Sequence, residues 1–452
     1  MNYNNNDIII AQSTPIGSSA LAMIRVSGDS LSSFMRLIFG NKKTIPRYCY
    51  AVQFKSFDSK EVVDRCVITY YQAPKSFTGE MMLEISCHGN QLIVEKIINE
   101  FILKGVRVAL PGEFSYRAFQ NNKIDLMQAE SIGAKITANS QAYGVALQNI
   151  ENGSVSEKFL LLKDRFLKIV SVIEHELDFN EEEITHLSVK KIKNDFQKMK
   201  NDLFEIVKHS KLIKKQNQGY RVVIIGYPNV GKSTLFNKII GVDKSIVTPI
   251  KGTTRDALEI NIKINNVPFT FYDTAGYRKT KNQIEGIGIK RGLALLRKAD
   301  IVLVVDQKNP THTMDSMLEK GLINNKQMLL CVQTKCDKLK KGTLIGLNKI
   351  KLSAQQNVGV DLLLTHLSTI IIKKLEGPSY KNIVLCSERQ LVLAQEAYKK
   401  IEIIINDLQS GCTMDIVASG CRDFIDVIKE LLGEITSENV LNNIFKGFCV
   451  GK

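Results

Sequence analysis

Gly226-Tyr-Pro-Asn-Val-Gly231-Lys232-Ser233 follows the apolar run Arg221–Ile225 and opens a stretch of helical spacing, Thr234–Ile240. A buried strand that turns through glycines into a helix is the setting in which G-x-x-x-x-G-K-S has a mechanism. The glycines let backbone amides wrap phosphates, and the helix amino terminus adds positive potential there. Lys232 reaches the outer phosphates and the Ser233 hydroxyl ligates magnesium. Strands and helices alternate from here to about Leu375, which predicts an α/β domain with a mostly parallel sheet.

Adenine and guanine nucleotides share such a loop, so the choice of base rests on segments further along the chain. Asp273-Thr-Ala-Gly276 ends the apolar run Phe269–Tyr272. Asp273 there suits the magnesium shell and the Gly276 amide suits the terminal phosphate. Thr334-Lys335-Cys336-Asp337 ends Met328–Val332, and Asp337 would accept both hydrogen bonds from the amidine edge of guanine, which adenine cannot donate. This resembles the N-K-x-D element of translation-factor-like GTPases with Thr334 in place of Asn, and Leu352-Ser353-Ala354 looks like their last base-contacting loop. The expected GTP contacts are Asn229, Val230, Gly231, Lys232, Ser233 and Thr234; Thr248, Pro249, Ile250, Lys251, Gly252, Thr253 and Thr254; Asp273, Thr274, Ala275 and Gly276; and Thr334, Lys335, Asp337, Ser353 and Ala354.

Hydrolysis needs a positioned water, and many small GTPases use a Gln directly after the Asp-x-x-Gly element. Here that residue is Tyr277. The expected catalytic set is therefore Lys232, Thr254, which would close on magnesium, and Glu285, a carboxylate able to reach the water indirectly. Where an arginine finger neutralises the transition state it contributes about 10³ to 10⁵ in rate. In its place, Asn229 with Thr248, Ile250 and Thr253 would build an oxygen cage for a monovalent cation. Solvated loop polarity is the competing reading of both Asn229 and Glu285.

At 452 residues the chain is long enough for about three domains. Hydrophobic residues at 44% and charged residues at 24% exclude wholesale disorder, and no apolar run approaches the roughly 20 residues of a membrane span. No signal or transit segment is evident at the Asn-rich amino terminus, so the cytoplasm is expected. Nine cysteines lie scattered with no C-x-x-C pair, which excludes a disulfide framework and a zinc site. The net charge of +15 suits a polyanion such as RNA; biased composition, rich in Lys, Asn and Ile, explains it equally.

Ahead of the nucleotide loop, Ala20–Val26, Val62–Tyr71, Met81–Ser86 and Val106–Leu110 read as strands and Gln91–Leu103 as the one helix of a small α+β domain. From Lys123 helical spacing takes over, with stripes Phe159, Leu162, Phe166, Ile169, Ile173, Leu177 and Phe196, Met199, Leu203, Ile206. Polar, basic Lys211–Gly219 reads as a linker. Beyond Gly377-Pro378, Leu391, Ala394, Ala397, Ile401, Ile404, Leu408 and then Phe424, Val427, Leu431, Leu432 resume the helical pattern, so the nucleotide domain is expected to interrupt a helical one. The boundaries expected are 1–120, 121–215, 216–377 and 378–452. His88 beside Gly89 reads as structural, and His175-Glu176 as a surface pair without the second histidine of a zinc helix.

Further blocks are more specific than the loop. Ile10-Ala-Gln-Ser-Thr-Pro-Ile-Gly17, Ile24-Arg-Val-Ser-Gly28, Ser76-Phe-Thr-Gly-Glu80, Cys87-His-Gly89, Pro111-Gly-Glu-Phe-Ser115, Arg117-Ala-Phe119, Lys123-Ile-Asp-Leu126, Asp178-Phe-Asn-Glu-Glu-Glu183 and the final Phe448-Cys-Val-Gly-Lys452 resemble, end to end, the tRNA-modifying GTPase family MnmE, or TrmE. The resemblance implies an α+β folate-binding domain, an all-α helical domain and an inserted Ras-like GTPase domain. It implies a homodimer through the amino-terminal domains, potassium-stimulated hydrolysis, and a flavin-dependent partner, MnmG, which carries the FAD. Together they would install an aminomethyl-type group on carbon 5 of the wobble uridine of certain tRNAs. By motif, Arg25, Glu84, Lys123 and Lys452 would contact a formyl-tetrahydrofolate-type donor, Asn229, Thr248, Ile250 and Thr253 would hold potassium, Ser233 and Thr254 magnesium, and Glu285 the water. A carboxylate suits the amide-like pterin edge, and Arg25 or Lys123 the glutamate tail. Cys449 either takes part in the one-carbon chemistry or packs the tail.

The main alternative is a GTP-switched RNA-binding or ribosome-assembly factor, which would lack the amino-terminal blocks and the Cys-Val-Gly-Lys tail. A membrane-remodelling GTPase would need an amphipathic or spanning segment that the chain does not show.

Overall fold

Period-two alternation in Val62–Tyr71 puts Cys66, Ile68 and Tyr70 on one side of a strand, and all three are buried. The computed structural model describes residues 7–178, 189–241, 259–273, 292–337, 341–346, 348–375, 383–448 and 450–451. It divides into two units, one of Met1–Thr137, Leu147–Val207 and Leu385–Lys452, the other of Ala138–Ala146 and Lys208–Val384.

In the first unit β1 (Ile9–Gln12), β2 (Ser19–Gly28), β3 (Cys49–Lys55), β4 (Val62–Tyr71), β5 (Met81–Gly89) and β6 (Arg107–Val108) form one sheet in the order β3-β4-β5-β2-β1-β6. Helices Ser32–Phe39 and Gln91–Ile102 cover one face through Phe34, Val94, Ile97 and Phe101. Each fully buried aromatic there contributes roughly 2–3 kcal/mol. Helices Ser32–Phe39 and Glu113–Gln120 and strands β1 and β3 add to the one helix and four strands expected; Ser32–Phe39 starts at Leu31 and Glu113–Gln120 at Gly112, neither with a side-chain cap, so the usual start signal is absent. Strand β6 is shorter than Val106–Leu110 because the Leu110 N–H donates to the Glu113 carboxylate at 2.7 Å and Pro111 has no N–H to pair.

The blocks around Glu80, Glu113 and Arg117 meet in a buried ionic cluster. Arg117, 1% exposed, donates to Glu80, to Glu113 at 3.2 Å and to Asp7 at 2.6 Å, while Arg107 binds Asp7 and Glu113 from the rim. The Ser27 hydroxyl donates to Glu80 at 2.7 Å and sits 2.7 Å from the Thr78 hydroxyl. Two cations thus face three carboxylates, and burial, against the bonds from Ser27 and Arg117, pushes the Glu80 carboxyl up.

The helices of this unit pack around stacked rings. Ser154–Asp178 and Met414–Leu432 meet at Phe166 and Phe424, with centroids 3.7 Å apart, and Phe196 of Val189–Gln218 lies 5.0 Å from Phe166. Helix Leu126–Ile136 begins with a capping box, Asp125 with Gln128, and Glu388–Gln409 with another, Ser387 with Gln390. Arg389 makes a bidentate pair with Glu130 at 3.0 Å and also donates to the last carbonyls of Met414–Leu432, Glu430 and Leu431. Residues 211–218 belong to helix Val189–Gln218, not to a linker. Lys and Gln are good helix formers, nothing breaks the pattern before Gly219 at φ +83°, and Ile213 and Gln216 are buried.

The second unit holds β7 (Tyr220–Ile225), β8 (Glu259–Ile264), β9 (Val267–Asp273), β10 (Ile301–Asp306), β11 (Met328–Gln333), β12 (Thr343–Ile345) and β13 (Lys349–Lys351) in the order β12-β13-β11-β10-β7-β9-β8. Pairs β7·β9, β7·β10, β10·β11 and β11·β13 are parallel; only the edge pairs β8·β9 and β12·β13 run antiparallel. The central strands are continuous apolar runs, as a sheet covered on both faces requires. The chain is thus a multidomain α/β protein. No helix among the described residues is long and apolar enough to cross a membrane. All eight described cysteines are free, and no described cluster of three or more His, Cys, Asp or Glu offers a metal site.

Candidate nucleotide site

The loop leaves the carboxyl end of β7, a central strand, and its shape depends on missing side chains. A Cβ on Gly226, whose φ is +156°, would fall 2.1 Å from the Val305 carbonyl oxygen of β10, so no other residue fits without moving backbone. Gly231 at φ +96° caps helix Lys232–Ile240 and lets the loop amides turn inward. Lys232 is 9% exposed, and its ammonium reaches back to the Tyr227 carbonyl at 2.7 Å, which holds it over the loop.

Asp273 ends β9 opposite Ile224 and is 2% exposed, beside the loop as a magnesium-shell carboxylate would have to be. On the other side Asp337 accepts from the Ser353 hydroxyl at 2.6 Å, so the two expected base contacts, 16 residues apart, are brought together. Thr334 explains its departure from Asn: its hydroxyl donates to the Val230 carbonyl at 2.5 Å and its N–H to the Asp306 carbonyl at 2.9 Å. A short hydroxyl therefore ties the base-contacting segment to the phosphate loop. Lys335, at φ +56°, donates to the Asn229 carbonyl at 2.8 Å. Ala354 is buried behind Ser353. Asn229, Val230, Gly231, Lys232, Ser233, Thr234, Asp273, Thr334, Lys335, Asp337, Ser353 and Ala354 thus cluster at the carboxyl ends of β7, β9 and β11 and in the loop after β13, the usual ligand edge of an open α/β sheet. Thr248, Pro249, Ile250, Lys251, Gly252, Thr253, Thr254, Thr274, Ala275, Gly276, Tyr277 and Glu285 lie outside the described residues.

Two side chains that nothing in the sequence singled out belong to this edge. Gln307, just after β10, donates to the Asn229 carbonyl at 2.8 Å, and Gln333 donates to the Gln307 carbonyl at 3.1 Å. The turn around Gln307 is set by Asp306, whose carboxylate accepts the Lys308 and Asn309 amides and the Thr313 hydroxyl. Burial opposes its ionisation, but these donors outweigh it and hold its pKa below the usual range.

In the first unit, β2 and β5 register Arg25 opposite Glu84, and Arg25 Nε donates to Glu84 at 2.8 Å. Tyr71 donates to the other Glu84 oxygen at 3.0 Å; burial first, then the Glu84 carboxylate, raises its phenol so that it stays a donor. The Gly451 carbonyl accepts from Arg25 at 3.3 Å and from Ser13 at 3.1 Å. Lys123 stands apart, its stem against Gly79, with no described contact to Arg25 or Glu84. Lys452 and Cys449 lie outside the described residues. His88 is exposed and paired with Asp64 at 2.7 Å, and Gly89 passes so close to Ser19 that a Cβ there would overlap its backbone, which gives Cys87-His-Gly89 a structural reason.

Two family models match the chain. The one described as GTP-binding protein TrmE N-terminus covers residues 8–123, and the one described as MnmE helical domain covers residues 126–449. A tRNA modification GTPase MnmE of Mycoplasma mycoides is 34% identical over 99% of this chain and 99% of its own. Its counterpart in Aquifex aeolicus is 33% identical over 98% and 99%, and that of Coxiella burnetii strain Dugway 34% identical over the whole of both chains. With matches that together run from residue 8 to 449 and relatives 33–34% identical over nearly the whole chain, the chain belongs to the MnmE family of tRNA modification GTPases.

Proposed function

We propose that this chain hydrolyses GTP under potassium stimulation and, with a MnmG-type flavoprotein partner, installs an aminomethyl or carboxymethylaminomethyl group on carbon 5 of the wobble uridine of certain tRNAs in the cytoplasm. The observation that carries the reading is the loop at Gly226, packed so closely on β10 that a Cβ would strike the Val305 carbonyl, joined through Thr334 to the Asp337–Ser353 pair. Such a loop suits the phosphates and such a pair suits guanine. Ser233 and Asp273 suit the magnesium shell, with Thr254 as the second hydroxyl ligand; Asn229, Thr248, Ile250 and Thr253 form the potassium set and Glu285 orders the water. Potassium supplies positive charge where other GTPases use an arginine.

The remaining assignments extend this reading. Residues 1–120 bind a formyl-tetrahydrofolate-type carrier and pair two copies, 121–215 with 378–452 form the helical domain, and 216–377 the GTPase domain. Glu84, held by donors Arg25 and Tyr71, suits a pterin, since each of its oxygens keeps a lone pair that could accept from an amidine-like edge. Arg25 or Lys123 would reach the glutamate tail, Lys452 would also contact the carrier, and Cys449 would stand near the one-carbon chemistry.

Two measurements test the reading. GTP turnover in potassium should exceed that in sodium severalfold, and equal rates would sink the cation assignment. Nucleoside analysis of tRNA from cells lacking this chain should show loss of the substituted wobble uridine; an intact modification would refute the role.

A further inference from the structure

We propose that Gln307 is a positioning residue of the nucleotide site: it holds the Asn229–Val230 stretch of the phosphate loop in its binding shape and so slows release of guanine nucleotide. The inference rests on the reading that this loop binds GTP and GDP. Asn229 has φ +62°, a left-handed conformation that asparagine tolerates better than other non-glycine residues but that still has to be favoured over the ordinary regions by its contacts. A pair of donors on one oxygen holds it. A carbonyl has two lone pairs, and the Asn229 carbonyl receives Gln307 Nε2 and Lys335 Nζ, each at 2.8 Å.

The two donors come from different strands. Lys335 belongs to the segment after β11 that also carries Asp337, so it shifts whenever the base-contacting segment shifts. Gln307 follows β10, and its backbone is braced by the turn built on the Asp306 carboxylate and by the side chain of Gln333, the last residue of β11, at 3.1 Å. The amide of Gln307 thus reaches the Asn229 carbonyl from the β10 turn, a second strand end beside the one that carries Lys335. Without it, Lys335 is the remaining side-chain donor to the Asn229 carbonyl among the described residues, and the loop is held less firmly in the shape that suits phosphates. A glutamate at 307 keeps the length and removes the donor, placing an acceptor against an acceptor.

The test uses the full chain, Q307A and Q307E, with fluorescent GDP and a fluorescent GTP analogue in magnesium and potassium, read by stopped-flow release and by melting of the nucleotide-free proteins. Gln307 is only half buried, and both variants are expected to melt as the wild type does. Release should quicken about 5- to 10-fold in Q307A and further in Q307E, with association rates changed less than about twofold. Release close to that of wild type in both variants overturns the proposal. So does a lowered melting temperature with unchanged release, the signature of a purely structural residue. Wild-type protein that retains neither nucleotide refutes the underlying reading, and the inference with it.

Discussion

At Gly226–Ser233 the backbone makes the site, and side chains matter chiefly where they are missing or where they brace a carbonyl from outside. At Glu80, Glu113 and Arg117 the reverse holds: the motif side chains are buried and satisfy one another. Both regions are dense in specific residues, yet one opens toward a ligand and the other closes on itself. The difference lies in where the polar capacity goes. A loop at the carboxyl edge of the sheet leaves backbone donors for a ligand such as a phosphate, whereas a guanidinium that already meets three carboxylates has little left for one.

The largest expected effect separates the regions. Arg117→Ala takes from the buried Glu80 its Arg117 partner, leaves Asp7 and Glu113 to Arg107, and should destabilise the first unit by about 3–5 kcal/mol in denaturant titration, while nucleotide affinity, assayed below the transition, stays within about twofold. A mild stability loss would mean that the cluster is not the keystone described. Next, Gly226→Ala forces the Val305 carbonyl aside and should weaken GDP binding by about 30-fold or more, roughly 2 kcal/mol, with the first unit melting as before. Thr334→Ala strands the Val230 carbonyl and should cost about 1–2 kcal/mol of stability in the second unit, which Thr334→Ser should largely restore. Failure of the serine to restore it would show that the methyl group's packing, and not the hydroxyl tie, holds the loop.

The smallest effect concerns pH at the turn that carries Gln307. Asp306 has a depressed folded pKa, so its contribution is present above the unfolded carboxylate value of about 3.9 and is lost as pH falls through the lower folded one. Asp306→Asn should therefore melt slightly below wild type at about pH 7, with the gap closing toward about pH 3. A gap that widens in acid would reverse the assignment.

What was legible in the chain came from contiguity. The loop, Asp273 and the Thr334–Asp337 segment each sit at the end of an apolar run, so order alone brought out the nucleotide edge. Tyr71 was not legible, because its contact to Glu84 depends on how β4 and β5 align, and a strand's own pattern does not name its neighbour. Gln307 and Gln333 were missed for a related reason: a glutamine after a strand looks like any solvated turn. Polar composition misled at 211–218, where Lys and Gln serve an exposed helical face as readily as a linker. The blocks around Glu80 and Arg117 marked the family without revealing that several of their residues never meet solvent.

The bond from Arg25 to the Gly451 carbonyl joins residues 426 positions apart, with the whole nucleotide unit encoded between them. At the roughly 5–20 residues per second of a ribosome, Arg25 emerges some 20–90 s before its partner exists. For that interval the first sheet must persist with Glu84 and Tyr71 in place but the Gly451 contact unmade. During synthesis this contact therefore forms last, after every residue of the nucleotide unit has been made.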